Sequence, residues 1–174
     1  DEFWSKEDFD SDYVQSSKDK CSFDGHIYAA SMYETACALF YNKDHFTAAD
    51  IPIPAEDTEP WTFDQLIEAA QKCTIVDATG TTVQYGLMPT MNAPDVNNEG
   101  TTFLQLFWLW NHGAEVFDPE MTTASGYFDS EKSIAAIKAW QDLYQTLKVS
   151  PLETVTQGFQ TGKISMMIHN ISNV

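Results

Sequence analysis

Arginine is absent from this chain of 174 residues, and its nine basic residues, all lysine, stand against 26 acidic ones for a formal net charge of -17. Without the planar guanidinium fork, two-point gripping of phosphate or carboxylate is lost, which disfavours anionic ligands. A sequence pI near 4.2 also repels nucleic acid and anionic lipid, because both depend on a cationic surface for affinity. No run approaches the ~18 consecutive apolar residues of a membrane span, and no charged-then-apolar start reads as a secretion signal. The chain opens at Asp1 without an initiator Met, as a mature or truncated chain would, so the missing signal says nothing against export. Cysteine is scarce. Cys21, Cys37 and Cys73 are odd in number and form no C-x-x-C, so neither a disulfide framework nor a zinc site is indicated; plain thiols are expected, with one disulfide as the alternative.

Motifs of catalysis and cofactor binding are missing as well. His26, His45, His112 and His169 never stand three or four apart, so no transition-metal ligand pair is expected. There is no G-x-S-x-G and no phosphate-cradling glycine loop, hence no cofactor and no catalytic residue is assigned. Asp8, Asp10 and Asp12 alternate as at the start of a calcium loop, but Tyr13 occupies the sixth position, where glycine makes the turn, and Asp19 the twelfth, where a bidentate Glu belongs. Solvated or helix-capping carboxylates are the plainer reading, and no metal is expected. Carboxylates are so numerous that a catalytic pair could always be chosen, which makes any such choice uninformative about glycoside hydrolysis.

What the chain does have is 43% hydrophobic and 13% aromatic residues, enough to bury a core despite the charge. Asp24-Gly25 predicts a tight turn into a strand over 26–29, and the apolar run 37–41 a buried strand. A short helix is expected over 43–49, stopping before a proline-rich acidic loop that extends to Pro60. Thr62 is placed to cap a helix whose third residue is Gln65, with Trp61 outside its first turn and Phe63, Leu66, Ile67 and Ala70 on one face. A turn over 79–82, a strand over 85–88 and a polar loop over 92–100 follow. The helix 103–111 is apolar nearly all round and predicts burial, with Gly113 ending it in the left-handed conformation. Asp129 or Ser130 caps a long helix with Ile137, Trp140, Tyr144 and Leu147 on a face; then come a helix over 152–161, ended by Gly162, and a strand over 164–168. Mixed strands and helices in this order indicate an α/β or α+β body.

Phe103, Phe107, Trp108 and Trp110 have two readings. They fill a core, as aromatic side chains commonly do. Alternatively, with Asn92, Thr101, Thr102, Gln105 and Asn111 beside them, they offer a sugar flat rings for its C–H faces and hydrogen-bonding groups for its hydroxyls.

Five segments in order carry a family resemblance: Asp24 to Ala29 (D-G-H-I-Y-A), Ala38 to Phe46 (A-L-F-Y-N-K-D-H-F), Pro60 to Leu66 (P-W-T-F-D-Q-L), Trp108 to Gly113 (W-L-W-N-H-G) and Phe159 to Ile168 (F-Q-T-G-K-I-S-M-M-I). Together they resemble the extracellular solute-binding proteins of family 1, the maltose-binding-protein-like group of ABC importer components. The resemblance implies an α/β fold of the periplasmic-binding-protein-like (type II) class, with this chain covering mainly the second lobe plus hinge crossings. Residues 1–31 would be a remnant of the first lobe with the first crossing strand, 32–163 the second lobe, and 164–174 the return crossing. It implies reversible binding of a neutral sugar or oligosaccharide between two lobes, delivery to ABC permease subunits, and an extracellular place as a cell-surface lipoprotein or in the periplasm. The ligand-binding positions it implies are Tyr33, Glu34, Thr35, Asn92, Thr102, Phe103, Trp108, His112 and Asn170. Where the family commonly shows G-P-W after the last strand, this chain has Asn170-Ile171-Ser172, so that aromatic platform is absent.

Two rivals stand beside this reading. The net charge favours a cationic solute such as a polyamine. A glycoside-processing enzyme domain rests on the abundance of carboxylates alone.

Overall fold

A computed structural model describes residues 13–34, 36–55, 59–89 and 99–170, the side chains of 99–104 excepted. The candidate calcium aspartates and the positions Thr35, Asn92, Ile171 and Ser172 lie outside the described residues. The chain divides into two units, Asp1–Ala36 with Asn170–Val174, and Cys37–His169.

In the first unit, helix α1 (Gln15–Lys20) precedes a small antiparallel hairpin of β1 (Ser22–Phe23) and β2 (His26–Ile27). Asp24 and Gly25 both take positive φ, 48° and 75°. That is the primed turn whose twist matches the flanking strands, and Asp-Gly is the pair that adopts it at least expense. The strand is two residues shorter than the sequence implied, and Tyr28 leaves it exposed. Within this unit Glu34 accepts hydrogen bonds from Ser17 Oγ at 2.6 Å and Lys20 Nζ at 2.9 Å.

The second unit is built on β3 (Cys37–Tyr41), β4 (Ile75–Val76), β5 (Thr82–Met88) and β6 (Ile164–Asn170), in the order β3-β6-β5-β4. β5 and β6 run parallel, with Leu87 opposite Met166 and Met88 opposite Met167; β4 pairs antiparallel to β5 across a register irregularity. Leu87 and Met166 enter the main core while their neighbours Met88 and Met167 enter a second cluster with Ile164. Alternate strand residues face opposite sides, so both faces of the parallel pair are buried, and β6 accordingly reads as an unbroken buried run to His169. β3, at an edge of this sheet, is half-buried where the sequence suggested full burial.

Four helices pack on this sheet or on one another: α2 (Lys43–Ala48), α3 (Phe63–Cys73), α4 (Glu99–Asn111) and α5 (Glu131–Gln145). The expected capping pair is present at α3, where Thr62 and Gln65 satisfy each other's backbone N–H. Trp61, just outside that first turn, lies parallel to Phe46, with ring centroids 5.8 Å apart. Ser130 caps α5, whose buried face is Ser133, Ala136, Trp140, Leu143 and Tyr144, while Ile137 points to solvent.

Four other expectations are corrected. Glu99 and Gly100 already belong to α4, which begins four residues earlier than its aromatic run suggested. That helix is not buried all round: Trp108 and Leu109 are buried, but Phe107 and Trp110 are exposed. Thr82 opens β5 and is not part of the turn, and β4 carries no alternation that could have announced it. Residues 152–155 are irregular and 156–161 form hydrogen-bonded turns in place of a helix, because Gln157 sits at φ 49° and a Cβ on Gly158 would lie 2.7 Å from the Ile164 side chain. The chain there is shaped by close approach to β6 and not by helical periodicity.

A polar pair links α2 to the buried strand β6. His45 Nδ1 lies 2.9 Å from Ser165 Oγ, and Ser165 is fully buried. Burial holds the His45 imidazole below its ordinary pKa, partly opposed by Asp44. Protonation therefore favours the unfolded chain: the stabilisation is complete above the ordinary value of about 6.5 and is lost as pH falls toward and through the depressed one. Unfolding free energies measured between pH 8 and 5 should fall with acidification, and His45→Gln should flatten that slope. Equal slopes for the two proteins would remove His45 as the cause.

Candidate functional site

The first turn of α3 and the second half of α4 leave a groove over the β3–β6 edge of the sheet. It encloses about 570 Å³ and is lined by Leu39, Trp61, Thr62, Phe63, Leu66, Phe107, Trp108, Asn111 and Ile168. Four of these nine are aromatic and none is ionisable. Thr62 and Asn111 are the polar aliphatic side chains of the lining. The volume falls in the range of small-molecule sites.

Ring packing fixes the walls. Phe63 meets Trp108 edge-on at 5.2 Å and His112 edge-on at 4.8 Å, and Trp108 leans toward Trp140 at 6.2 Å. His112 Nδ1 donates to the Trp108 carbonyl at 2.8 Å, which locks the ring at the end of α4 and leaves Nε2 as its second polar atom. Asn111 Nδ2 donates to the Phe107 carbonyl at 2.7 Å, leaving its Oδ1 to accept. Thr62 Oγ1 is engaged in the α3 cap with Gln65. Trp108 is only 3% exposed, and its Nε1 has no acceptor among the described residues.

A second groove of about 570 Å³ opens beyond α4 and differs in charge. Trp110, Phe117 and Tyr127 line it together with the carboxylates Glu115 and Asp118. Backbone and hydroxyl donors of Thr122 and Thr123 hold the Asp118 carboxyl below the usual range, so it stays charged.

The positions implied by the sequence are distributed unevenly. Trp108 lines the aromatic groove, His112 stands one turn beyond it against Phe63, and Thr102 and Phe103 fall in the first turns of α4. Tyr33, Glu34 and Asn170 belong to the other unit. Tyr33 is exposed, and the hydrogen bond from Lys20, then that from Ser17, holds the Glu34 carboxyl below its ordinary pKa. Sequence reasoning passed over Trp61, Phe63, Leu66, Leu39 and Ile168 as wall residues. The available signal was Trp61 and Phe63 on either side of the Thr62 cap: a capping residue faces the helix entrance, so rings adjacent to it border the same opening.

One arrangement resembles hydrolytic chemistry without its surroundings. Ser165 and His45 are within hydrogen-bond reach, but among the described residues no carboxylate bonds to the imidazole, and Ser165 lines none of the grooves described. Cys73 is buried and its thiol is pushed up by burial, which suppresses the thiolate.

The profile of the bacterial extracellular solute-binding proteins matches residues 1–174. No curated protein matches the chain. Among solved structures, the ABC substrate-binding protein Lmo0181 of Listeria monocytogenes, in complex with cycloalternan, is 22% identical with a TM-score of 0.71, covering 96% of this chain and 41% of its own. Maltose-bound MalE3 of T. maritima is 23% identical at a TM-score of 0.70, with 95% and 40% covered. UgpB of Mycobacterium tuberculosis, in complex with glycerophosphocholine, is 18% identical at 0.73, with 98% and 41% covered. The α/β fold is thus that of the type II binding proteins, and the chain spans about two fifths of these neighbours' length.

Proposed function

Since the chain belongs to the bacterial extracellular solute-binding protein family, we propose that the whole protein is the capturing component of an ABC importer, binding a neutral sugar or oligosaccharide reversibly and delivering it to the permease. The observation that carries the neutral-sugar reading is the aromatic groove: four rings, two uncharged polar side chains and no ionisable group along its walls. Such a lining matches the C–H faces and hydroxyls of a sugar and gives a charged ligand no counter-charge. Cycloalternan and maltose in the structural neighbours support the same class. The unit Cys37–His169 is read as one lobe, and closure of two lobes around the ligand as the signal that the permease recognises. Glu34, Thr35, Asn92 and Phe103 are proposed as further ligand contacts. The protein would work outside the membrane, as a surface lipoprotein or in the periplasm; among the described residues no helix is long and apolar enough to cross a bilayer.

A cationic solute is the second reading, favoured by Glu115 and Asp118 beside Trp110 and Phe117 in the other groove. Calorimetry on the full-length protein separates the two. Heat with maltose, mannitol or tagatose and none with spermidine is expected, and the reverse pattern would transfer the assignment to cations. Binding without chemistry also predicts no product from aryl glycosides.

A further inference from the structure

The second groove, beyond α4, gathers large apolar side chains that capture of a neutral sugar leaves without a role. Trp110, Phe117 and Met121 line it at 52%, 43% and 72% exposure, and Tyr127 stands with them. Large apolar side chains that stay in water while sharing one concave surface mark a place where another molecule fits. The charges beside them are of one sign. Glu115 is exposed in the lining, the Asp118 carboxylate is fixed by bonds from Thr122 and Thr123, and none of the nine lining residues is basic. The surrounding stretch deepens the field, since residues 106–131 hold five acidic side chains and no lysine. Lys132 follows in sequence, but its ammonium lies beside Gly113 and is not part of the lining.

We propose that this groove docks a segment of a partner protein that carries arginine among apolar residues, its guanidinium stacked on Trp110 and paired with Glu115, its apolar neighbours covering Phe117 and Met121. Arginine suits both parts of the lining because its plane stacks on a ring while its edge pairs with a carboxylate. Other occupants match only in part. A wholly apolar segment would bury two carboxylates without a counter-charge. An acidic segment would be repelled, and a free polyamine brings more cations than the lining has carboxylates. A second copy of this chain would approach with the same net charge of -17 and no arginine. The inference does not depend on which solute the protein captures.

The test titrates the full-length protein with an acetylated and amidated Leu-Arg-Leu-Arg-Leu peptide and with its Leu-Glu-Leu-Glu-Leu counterpart. The arginine peptide should bind, less tightly as salt rises, and should shift the assigned Trp110 indole ¹H–¹⁵N resonance. Trp110→Ala and Glu115→Gln should each weaken it about tenfold. Both positions are exposed, so neither substitution opens the core. Equal affinity for the two peptides, no binding of the arginine peptide, or binding that leaves the Trp110 resonance unmoved would overturn the proposal. Three further results would reassign the groove and so overturn it as well. Spermidine displacing the peptide at equal concentration would give it to a small cation, and a mass of two copies in sedimentation with Trp110 shifted would give it to self-association. A Trp110 resonance already shielded from a soluble gadolinium chelate would give it to another segment of the same protein.

Discussion

Gly86→Ala is expected to destabilise the second unit by at least about 3 kcal/mol, because the added methyl has nowhere to go and overpacking of this severity exceeds the usual range. Gly86 lies in β5 against the end of α3, and a Cβ there would stand 1.8 Å from the Ala70 carbonyl oxygen and 2.5 Å from its carbon. These are backbone atoms, which no rotamer change can clear. Retreat of the helix is resisted as well. Thr74 Oγ1 donates to Ala70 O at 2.7 Å and accepts from Gly86 N at 3.0 Å, and Gln84 Nε2 donates to Cys73 O at 2.6 Å. Moving α3 outward would stretch all three bonds and open the core around Ala70 and Cys73, both buried. Chemical denaturation should show a much lower midpoint with an unchanged slope. A variant within about 1 kcal/mol of the parent would mean that helix and strand are not in this close contact.

Gly86 also shows where sequence reading stops. Within Tyr85 to Met88 it is one more residue of a short strand; the helix it meets sits sixteen positions earlier, and nothing local records that approach. Local chemistry was legible by contrast. The Thr62 and Gln65 cap, the Asp24-Gly25 turn and the left-handed Gly113 each follow from a residue's own hydrogen bonds or steric freedom. Periodicity located the apolar face of α3 and the run of β6. It misled at α4 because composition reports how apolar a helix is, not which of its sides meets a neighbour; Phe107 and Trp110 stay exposed. The candidate site was half legible for the same reason. Trp108 and Asn111 could be singled out as a ring and an amide on one helix, but their opposite wall, Trp61 and Phe63, is supplied by another element across the sheet edge.

Phe46→Ala should destabilise the same unit by about 3–5 kcal/mol, the usual range for removing a buried aromatic ring. Phe46 is fully buried and sits among rings, with Tyr41 at 4.6 Å and Trp61 at 5.8 Å, both nearly parallel to it. It is also the anchor of α2, a six-residue helix far too short to persist by itself. Asn42 caps that helix by accepting from Asp44 N and His45 N at 3.0 and 3.2 Å, but a cap contributes only about 1 kcal/mol, so burial of Phe46 has to hold the segment down. The consequence extends to function, because Trp61 is shared: one face packs on Phe46 and the residue also forms part of the aromatic groove. Losing Phe46 would leave Trp61 without its backing ring and loosen that wall. Near-ultraviolet circular dichroism should lose tryptophan signal in Phe46→Ala, and sugar affinity should fall with it. Phe46→Leu, which refills most of the volume, should recover much of both. If the alanine variant kept its melting point and its aromatic signal, the stacked rings could not be what fixes α2 and Trp61 in place.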